Sequence, residues 1–425
     1  MREWRTPLAL FLGSFLVYNL NFRCIWAYDT MPARLLPFAL LKTGTLYLDH
    51  FYAGQDFDPQ KSPRLSWMQR TARGHLASTY PVVVPLLVTP FALPAHLYAE
   101  RRGLSHDRFR EVAEITEKIS ASIIAALSVV LVQRLLARFA SRETAWLLTI
   151  AYAFGSETWM IGGQALWQHG MAELLLAGIL LALVASTRRS MAVAGLLCGL
   201  LFANRPADLF FSLAAAGYVA AYQRKEFVGF VFPAAIVAAL LVLYDELVFG
   251  TLWGGYGAMG PLFSFDREIP LRFAGLLLSP AHGLLVFCPL FALLIAAPFV
   301  PAAPPLRRLL AWFGAAVLAE LALYSTCIVW YGGFCYGPRY LTDGLPVLVL
   351  ALVPVIDAVR LRPLRIAVAS LVAFSVVVQG IGAFCFPSGR GIADYNQMWG
   401  ELAYVVELRA GPSEPTFLRS KSRPR

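Results

Sequence analysis

The sequence predicts an all-α integral membrane protein, a single polytopic bundle of about 11 to 13 transmembrane helices with a long first extracytoplasmic loop. Three observations predict it. Of 425 residues, 58% are apolar and only 15% are charged, where a soluble domain carries about 25% charge, and the mean hydropathy is +0.61. Apolar runs approaching the ~20 residues needed to cross the hydrocarbon layer recur along the chain. Those runs are continuous, without the alternation of a lipid-facing strand, which argues against a β-barrel.

The elements follow in order. Residues 6–22 form an apolar run behind Arg2 and Arg5; it is not followed by a small-residue cleavage site, so it reads as an uncleaved first span and not a signal peptide. Residues 23–79 are the longest polar interruption. The run 80–99 carries Pro81, Pro85, Pro90 and Pro94. Continuous apolar runs at 119–133, 144–161, 166–185, 191–203, 207–222 and 228–248 are separated by short turns and read as spans. Residues 270–279 are too short to cross and are expected to lie along the interface as an amphipathic helix. Further spans are expected at 283–299, 309–329, 341–356 and 366–384. No Gly-, Ser- or Pro-rich linker divides the chain, so 1–384 reads as one domain and 385–425 as a short extracytoplasmic tail.

Arginines orient the spans. Arg134/Arg138/Arg142, Arg188/Arg189, Arg224/Lys225, Arg307/Arg308 and Arg360/Arg362/Arg365 fall in every second loop from residue 133 onward, as expected if all five loops are cytoplasmic. The intervening turns and 23–79 are then outside. The segment 80–99 breaks this parity, which requires either a proline-broken re-entrant segment or a further span between 100 and 133. The same bias accounts for the net charge of +10, and no basic stretch interleaved with stacking aromatics suggests nucleic acid. The six cysteines are scattered, with no Cys-x-x-Cys pair and no metal-ligand spacing, so neither a disulfide framework nor a metal site is indicated.

The remaining polar and aromatic residues collect on the expected outer side. Tyr28, Asp29, Arg34, Asp49, His50, His75 and Tyr80 lie in the first loop, and Trp159, Trp167, Gln168 and His169 flank the next outward turn. Asn204 and Arg205 precede Pro206; Trp253, Tyr256, Asp266, Arg267 and His282 follow; Trp330, Tyr331, Arg339 and Tyr340 close the series. The inner loops are short and hold no phosphate-cradling Gly-rich sequence. Asp29, a few residues past the first span, is partly desolvated yet reachable from outside, the setting of a working base; the alternative is a solvated interface residue or an ion pair with Arg34. Asp49-His50 is a weaker acid/base candidate, since short polar groups also cap helices. Arg205 and Arg339 lie where the inside bias does not explain a positive charge. A phosphate suits such a guanidinium fork, and an ion pair with Asp208 or Asp343 is the competing account. Together these groups suit a lipid-linked phosphate whose tail stays in the bilayer.

These residues resemble the GT-C superfamily of polytopic glycosyltransferases, closest to bacterial relatives of protein O-mannosyltransferases and lipid A aminoarabinose transferases. The resemblance rests on Tyr28-Asp29-Thr-Met-Pro-Ala-Arg34, Leu48-Asp49, His75-Leu-Ala-Ser-Thr-Tyr80-Pro81, Phe154-Gly155-Ser-Glu-Thr-Trp159, Asn204-Arg205-Pro206, Leu278-Ser-Pro280-Ala-His-Gly283 and the stretch from Trp330 to Tyr340, in that order along the chain. It implies a GT-C bundle in a bacterial inner membrane with the active site facing outside. Asp29 would act as general base, Arg339 and Arg205 would hold the phosphate of a polyprenyl-phosphate sugar, and Arg34, Asp49, His50, His75, Tyr80, His169, His282, Tyr331 and Tyr340 would complete the substrate site. The acceptor is expected to be a glycan, lipid or protein. One Asp followed by Thr stands where the O-mannosyltransferases carry an acidic pair, so no cofactor is assigned and a divalent metal stays open without being indicated. A transporter or flippase of a lipid-linked saccharide also wants cations and broken helices near membrane depth, but no internal repeat is visible and the polarity is one-sided. An acyl or phosphoethanolamine transferase would want a nucleophile or metal cluster that does not stand out.

Overall fold

The computed structural model describes residues 5–52 and 67–386, so the tail beyond 386 and the middle of the first loop lie outside the described residues. The chain is helical almost throughout. The first helix, α1, is Arg5–Asn19; a single 3-10 turn at Tyr28–Thr30 leads into α2, Met31–Thr43, which Pro32 opens and Gly44 closes with φ at 70°. A two-stranded antiparallel ladder, β1 Met68–Arg70 and β2 Leu76–Ser78, is the only sheet among the described residues. Then follow α3 (Val83–Arg102), α4 (His106–Leu136), α5 (Arg142–Phe154), α6 (Gln168–Ala185), α7 (Arg188–Asn204), α8 (Leu209–Tyr222) and α9 (Phe227–Phe249). The last group is α10 (Ile269–Leu278), the single turn α11 (Leu284–Phe287), α12 (Pro304–Ser325), α13 (Leu345–Ala358) and α14 (Arg362–Cys385).

Five helices are long and apolar enough to cross a membrane, or six if the bent pair 289–299 and α12 forms one span. The expected 11 to 13 is not reached by that measure. Helices α1, α5, α7, α8 and α13 have 13 to 17 residues, about 20–26 Å at 1.5 Å per residue, short of a ~30 Å hydrocarbon core. A π turn at Thr158–Gly162 and a 3-10 turn at Pro206–Asp208 continue some of the shorter runs. The expected span 283–299 is not an α-helix. It is one turn followed by a 3-10 segment between Pro289 and Pro298, set at 119° to α12, because each proline removes a donor from the helical ladder. The expected short helix at 270–279 is present as α10, with Leu271, Phe273 and Leu278 exposed.

The structure shows neither of the two arrangements expected to restore the parity. Helix α3 is unbroken despite Pro90 and Pro94, and α4 is a single helix of 31 residues, about 46 Å long. The polar first third of α4 folds back along α2 and α3: Phe38, Ala92 and Ala113 share one cluster, and Lys42 pairs with Glu100 at 2.8 Å. Helix α3 is itself one of the five helices long and apolar enough to cross a membrane. Lys118, buried on α4, donates to the carbonyls of Tyr18 (2.7 Å) and Gly163 (2.9 Å) and to Gln164 Oε1 (2.7 Å), tying the end of α1 to the turn before α6. Arginine-bearing turns meet at the far end. Asp357 accepts from Ser141 and Thr144 at 2.8 and 2.7 Å, Gln223 donates to the Leu183 carbonyl, and Arg308 lies over Tyr222.

Helices α7 and α9 run side by side at backbone contact. Gly195 and Gly199, four residues apart, face Phe230, Ala234 and Val237; a Cβ on Gly199 would lie 2.8 Å from Val237 Cβ and 3.0 Å from the Ala234 carbonyl oxygen. In lipid, where apolar surface gives helices no reason to associate, such small residues permit the close packing that does. The opposite face of α9 is bare, with Val228, Phe232, Ile236, Leu240, Leu243 and Leu247 exposed.

Candidate active site

Asp29 and Arg339 are 310 positions apart and in contact. Asp29 sits in the 3-10 turn between α1 and Pro32; Arg339 opens another at Arg339–Leu341, behind Gly332, Gly333 and Gly337, whose φ of 80°, 72° and 69° suit glycine. Arg339 Nη1 donates to Asp29 Oδ2 at 2.5 Å, and the guanidinium stacks over Trp167 (4.7 Å) and Tyr340 (5.3 Å). Its Nε is buried without a partner, beside Gly332, where a Cβ would approach it to 3.3 Å. Burial works against the Arg339 charge, but Asp29, Cys335 and Tyr340 outweigh it and hold the group firmly protonated.

Arg205 shares the Tyr340 ring with Arg339. It follows the end of α7 and pairs with Asp343; its other arm meets the Tyr324 hydroxyl. The guanidinium lies 5.4 Å from the Tyr324 ring and 6.0 Å from Tyr340, and those two rings stack at 4.3 Å. The shared Tyr340 ring places the two guanidinium carbons no more than about 11 Å apart. His169 Nδ1, on the first turn of α6, faces Asp343 Oδ1 at 2.8 Å and Arg205 Nη1 at 2.9 Å. Tyr256 donates to Gln168 Oε1 at 2.8 Å and meets Tyr80 edge to face at 6.1 Å. Burial pushes the Tyr80 phenol well up, with Asp29 and Tyr256 adding to it, so Tyr80 remains a hydrogen donor at neutral pH.

Asp29, Tyr80, His169, Arg205, Arg339 and Tyr340 therefore converge. His282 and Tyr331 flank them: His282 Nδ1 faces the Gly337 carbonyl at 3.3 Å and its ring lies 5.9 Å from Tyr331. The other expected residues make their contacts elsewhere. Arg34 does not pair with Asp29. It is buried against Glu117, with Glu114 at 3.7 Å and Trp26 under it at 4.6 Å, so its charge is committed to the fold. Asp49 accepts from the Leu76 amide and faces His75 at 3.1 Å, while Tyr47 stacks on His75 at 4.4 Å; this group braces the β ladder. His50 lines a cavity with Lys42, His96, Glu100 and His106. For both site arginines the ion-pair account holds in the resting structure, Arg205 choosing Asp343 over Asp208 and Arg339 choosing Asp29.

Sequence reasoning passed over Tyr324, Glu320 and the supporting role of Trp167. Glu320 carried a signal, a lone carboxylate inside an apolar run; Tyr324 carried none, since an aromatic near a span end reads as an interfacial anchor. Chemically, the cluster offers a carboxylate 31% exposed at its side chain, two guanidiniums and phenolic donors. No family model, curated protein or solved structure matches the chain.

Proposed function

We propose that this chain is a GT-C-like membrane glycosyltransferase that moves a sugar from a polyprenyl-phosphate donor to a glycan, lipid or protein acceptor, working at the outer face of a bacterial plasma membrane. The observation that carries the reading is the contact of Asp29 with Arg339, with Arg205 across one shared tyrosine ring. A donor phosphate approaching the unpartnered Nε of Arg339 competes with Asp29 for that guanidinium. Winning it frees the carboxylate. Asp29 then accepts the proton of the acceptor hydroxyl or amine as that group attacks the anomeric carbon. The carbon–oxygen bond to the phosphate breaks with its electron pair, and polyprenyl phosphate departs. Arg339, held over Trp167, meets the growing phosphate charge in a water-poor setting, where such donors act most strongly. Arg205 is the second cation in reach.

The test is release or transfer of sugar from a radiolabelled polyprenyl-phosphate donor by purified protein in detergent, without a gradient. Turnover supports the reading. A protein that moves the intact donor across vesicles but never cleaves it is a transporter and overturns it.

A further inference from the structure

We infer that Asp208, Glu320 and Asp343 form a binding site for one divalent cation inside the bundle, an assignment independent of the glycosyltransferase reading. The three residues come from three elements: the 3-10 turn before α8, the last third of α12 and the turn before α13. All are fully buried, and one carboxylate oxygen from each lies within 4.8 Å of the others. Three oxygens at that spacing have a common centre within about 2.8 Å of each, so a movement of a few tenths of an ångström brings them to the 2.3–2.6 Å of a Ca2+ site and a somewhat larger one to the 2.0–2.1 Å of Mg2+.

Two observations separate this from a mere gathering of acids. Both Asp208 oxygens and Glu320 Oε1 are buried with no hydrogen-bond partner, and Thr342 Oγ1, next in chain to Asp343, is in the same state. Orphaned buried acceptors of this kind are costly unless something fills them, and more so when charged. The second observation is charge. Arg205 is the cation beside the cluster among the described residues, and it is already committed to Asp343 and Tyr324. Three carboxylates against one guanidinium leave two negative charges, which one divalent ion neutralises. With carboxylate oxygens and no imidazole or thiolate in the set, the chemistry selects Mg2+, Mn2+ or Ca2+ over Zn2+ or Cu2+. The competing account is that two of the carboxyls are protonated.

The full chain, purified in detergent, stripped with EDTA and dialysed, is titrated with Mn2+ while electron paramagnetic resonance counts the free ion. The wild type is expected to remove about one equivalent, with Asp208→Asn and, separately, Glu320→Gln weakening uptake by about 10–100-fold. Asp49→Asn, which alters a carboxylate on the β ladder, should leave it unchanged. Each Asn or Gln variant lowers the buried charge, so in EDTA it should melt no lower than the wild type; a variant that does not fold is replaced by the other. The inference is overturned if the wild type takes up no stoichiometric Mn2+, or if both folded variants bind it as the wild type does. Neither result bears on sugar transfer.

Discussion

Substituting Gly199 tests how α7 and α9 are held together. A Cβ there meets Val237 Cβ at 2.8 Å and the Ala234 carbonyl oxygen at 3.0 Å. Ordinary contact between such atoms begins near ~3.5 Å. Gly199→Ala therefore drives α9 back by about 0.7 Å, a gap that forfeits a quarter to a half of the dispersion attraction along the seam. Overpacking of this size costs about 1–3 kcal/mol, against a gain of up to ~1 kcal/mol for replacing a mid-helix glycine by alanine. Gly195→Ala is worse, because its Cβ overlaps the Phe230 carbonyl itself. Gly13 on α1 and Gly314 on α12 have nothing within 4 Å of the added carbon, so their alanine variants keep only the gain. Thermal melting in detergent should rank Gly195→Ala below Gly199→Ala, both below wild type, with Gly13→Ala and Gly314→Ala at or above it. A Gly195→Ala protein as stable as Gly314→Ala would refute the close-packed seam.

Four further outcomes are expected. Asp29→Asn should cut transfer by about 10²–10⁴ with little change in melting, since the amide oxygen still accepts from Arg339; turnover equal to wild type would remove Asp29 as the base. Arg339→Lys keeps the charge but loses the guanidinium contact over Trp167 and the second donor edge, so kcat should fall by about 10²–10³, and an unchanged kcat would move phosphate stabilisation elsewhere. Glu117→Gln leaves the buried Arg34 with only the longer contact to Glu114 and should cost up to about 3 kcal/mol, whereas the paired change Arg34→Met with Glu117→Leu should recover most of it; equal melting of single and double variants would deny the pair. Burial holds the His282 imidazole down to about 4, against the pull of the Gly337 carbonyl it faces. The unfolded chain therefore binds a proton that the folded chain refuses, so this contribution is complete above about pH 6.5 and is lost as the pH falls toward 4, about 3 kcal/mol in all. His282→Gln should flatten that part of the melting curve between pH 7 and 4.5, and identical curves would show His282 to be solvated.

Helix positions were legible because a continuous apolar run admits little else once barrels are excluded; α6, α9 and α14 lie within a few residues of their expected bounds. The front of α4 was not, because His106–Lys118 is as polar as a loop and becomes helical through tertiary partners in α2 and α3. Prolines misled in both directions: Pro90 and Pro94 sit inside an intact helix, while Pro289 and Pro298 bound a segment that never becomes one. The meeting of Asp29 with Arg339 followed from both lying on the expected outer side. Which carboxylate each arginine would take did not, since Arg34 is five residues from Asp29 yet turns to Glu117, eighty-three positions away. Pairing across a bundle depends on helix rotation, which periodicity reports poorly when a helix is apolar all round, as in α9.

The shared neutralisation of Arg339 and Arg205 has a consequence for selectivity. Each guanidinium rests against its own carboxylate, so a freely diffusing anion such as inorganic phosphate must evict a partner that is already in place and gains little by doing so. A molecule moored in the bilayer by a hydrocarbon chain presents its phosphate at an effective concentration in the millimolar range and can win the same exchange repeatedly. On the proposed reading the site would discriminate by mooring before it discriminates by charge, and water-soluble phosphates added to the assay should be poor inhibitors.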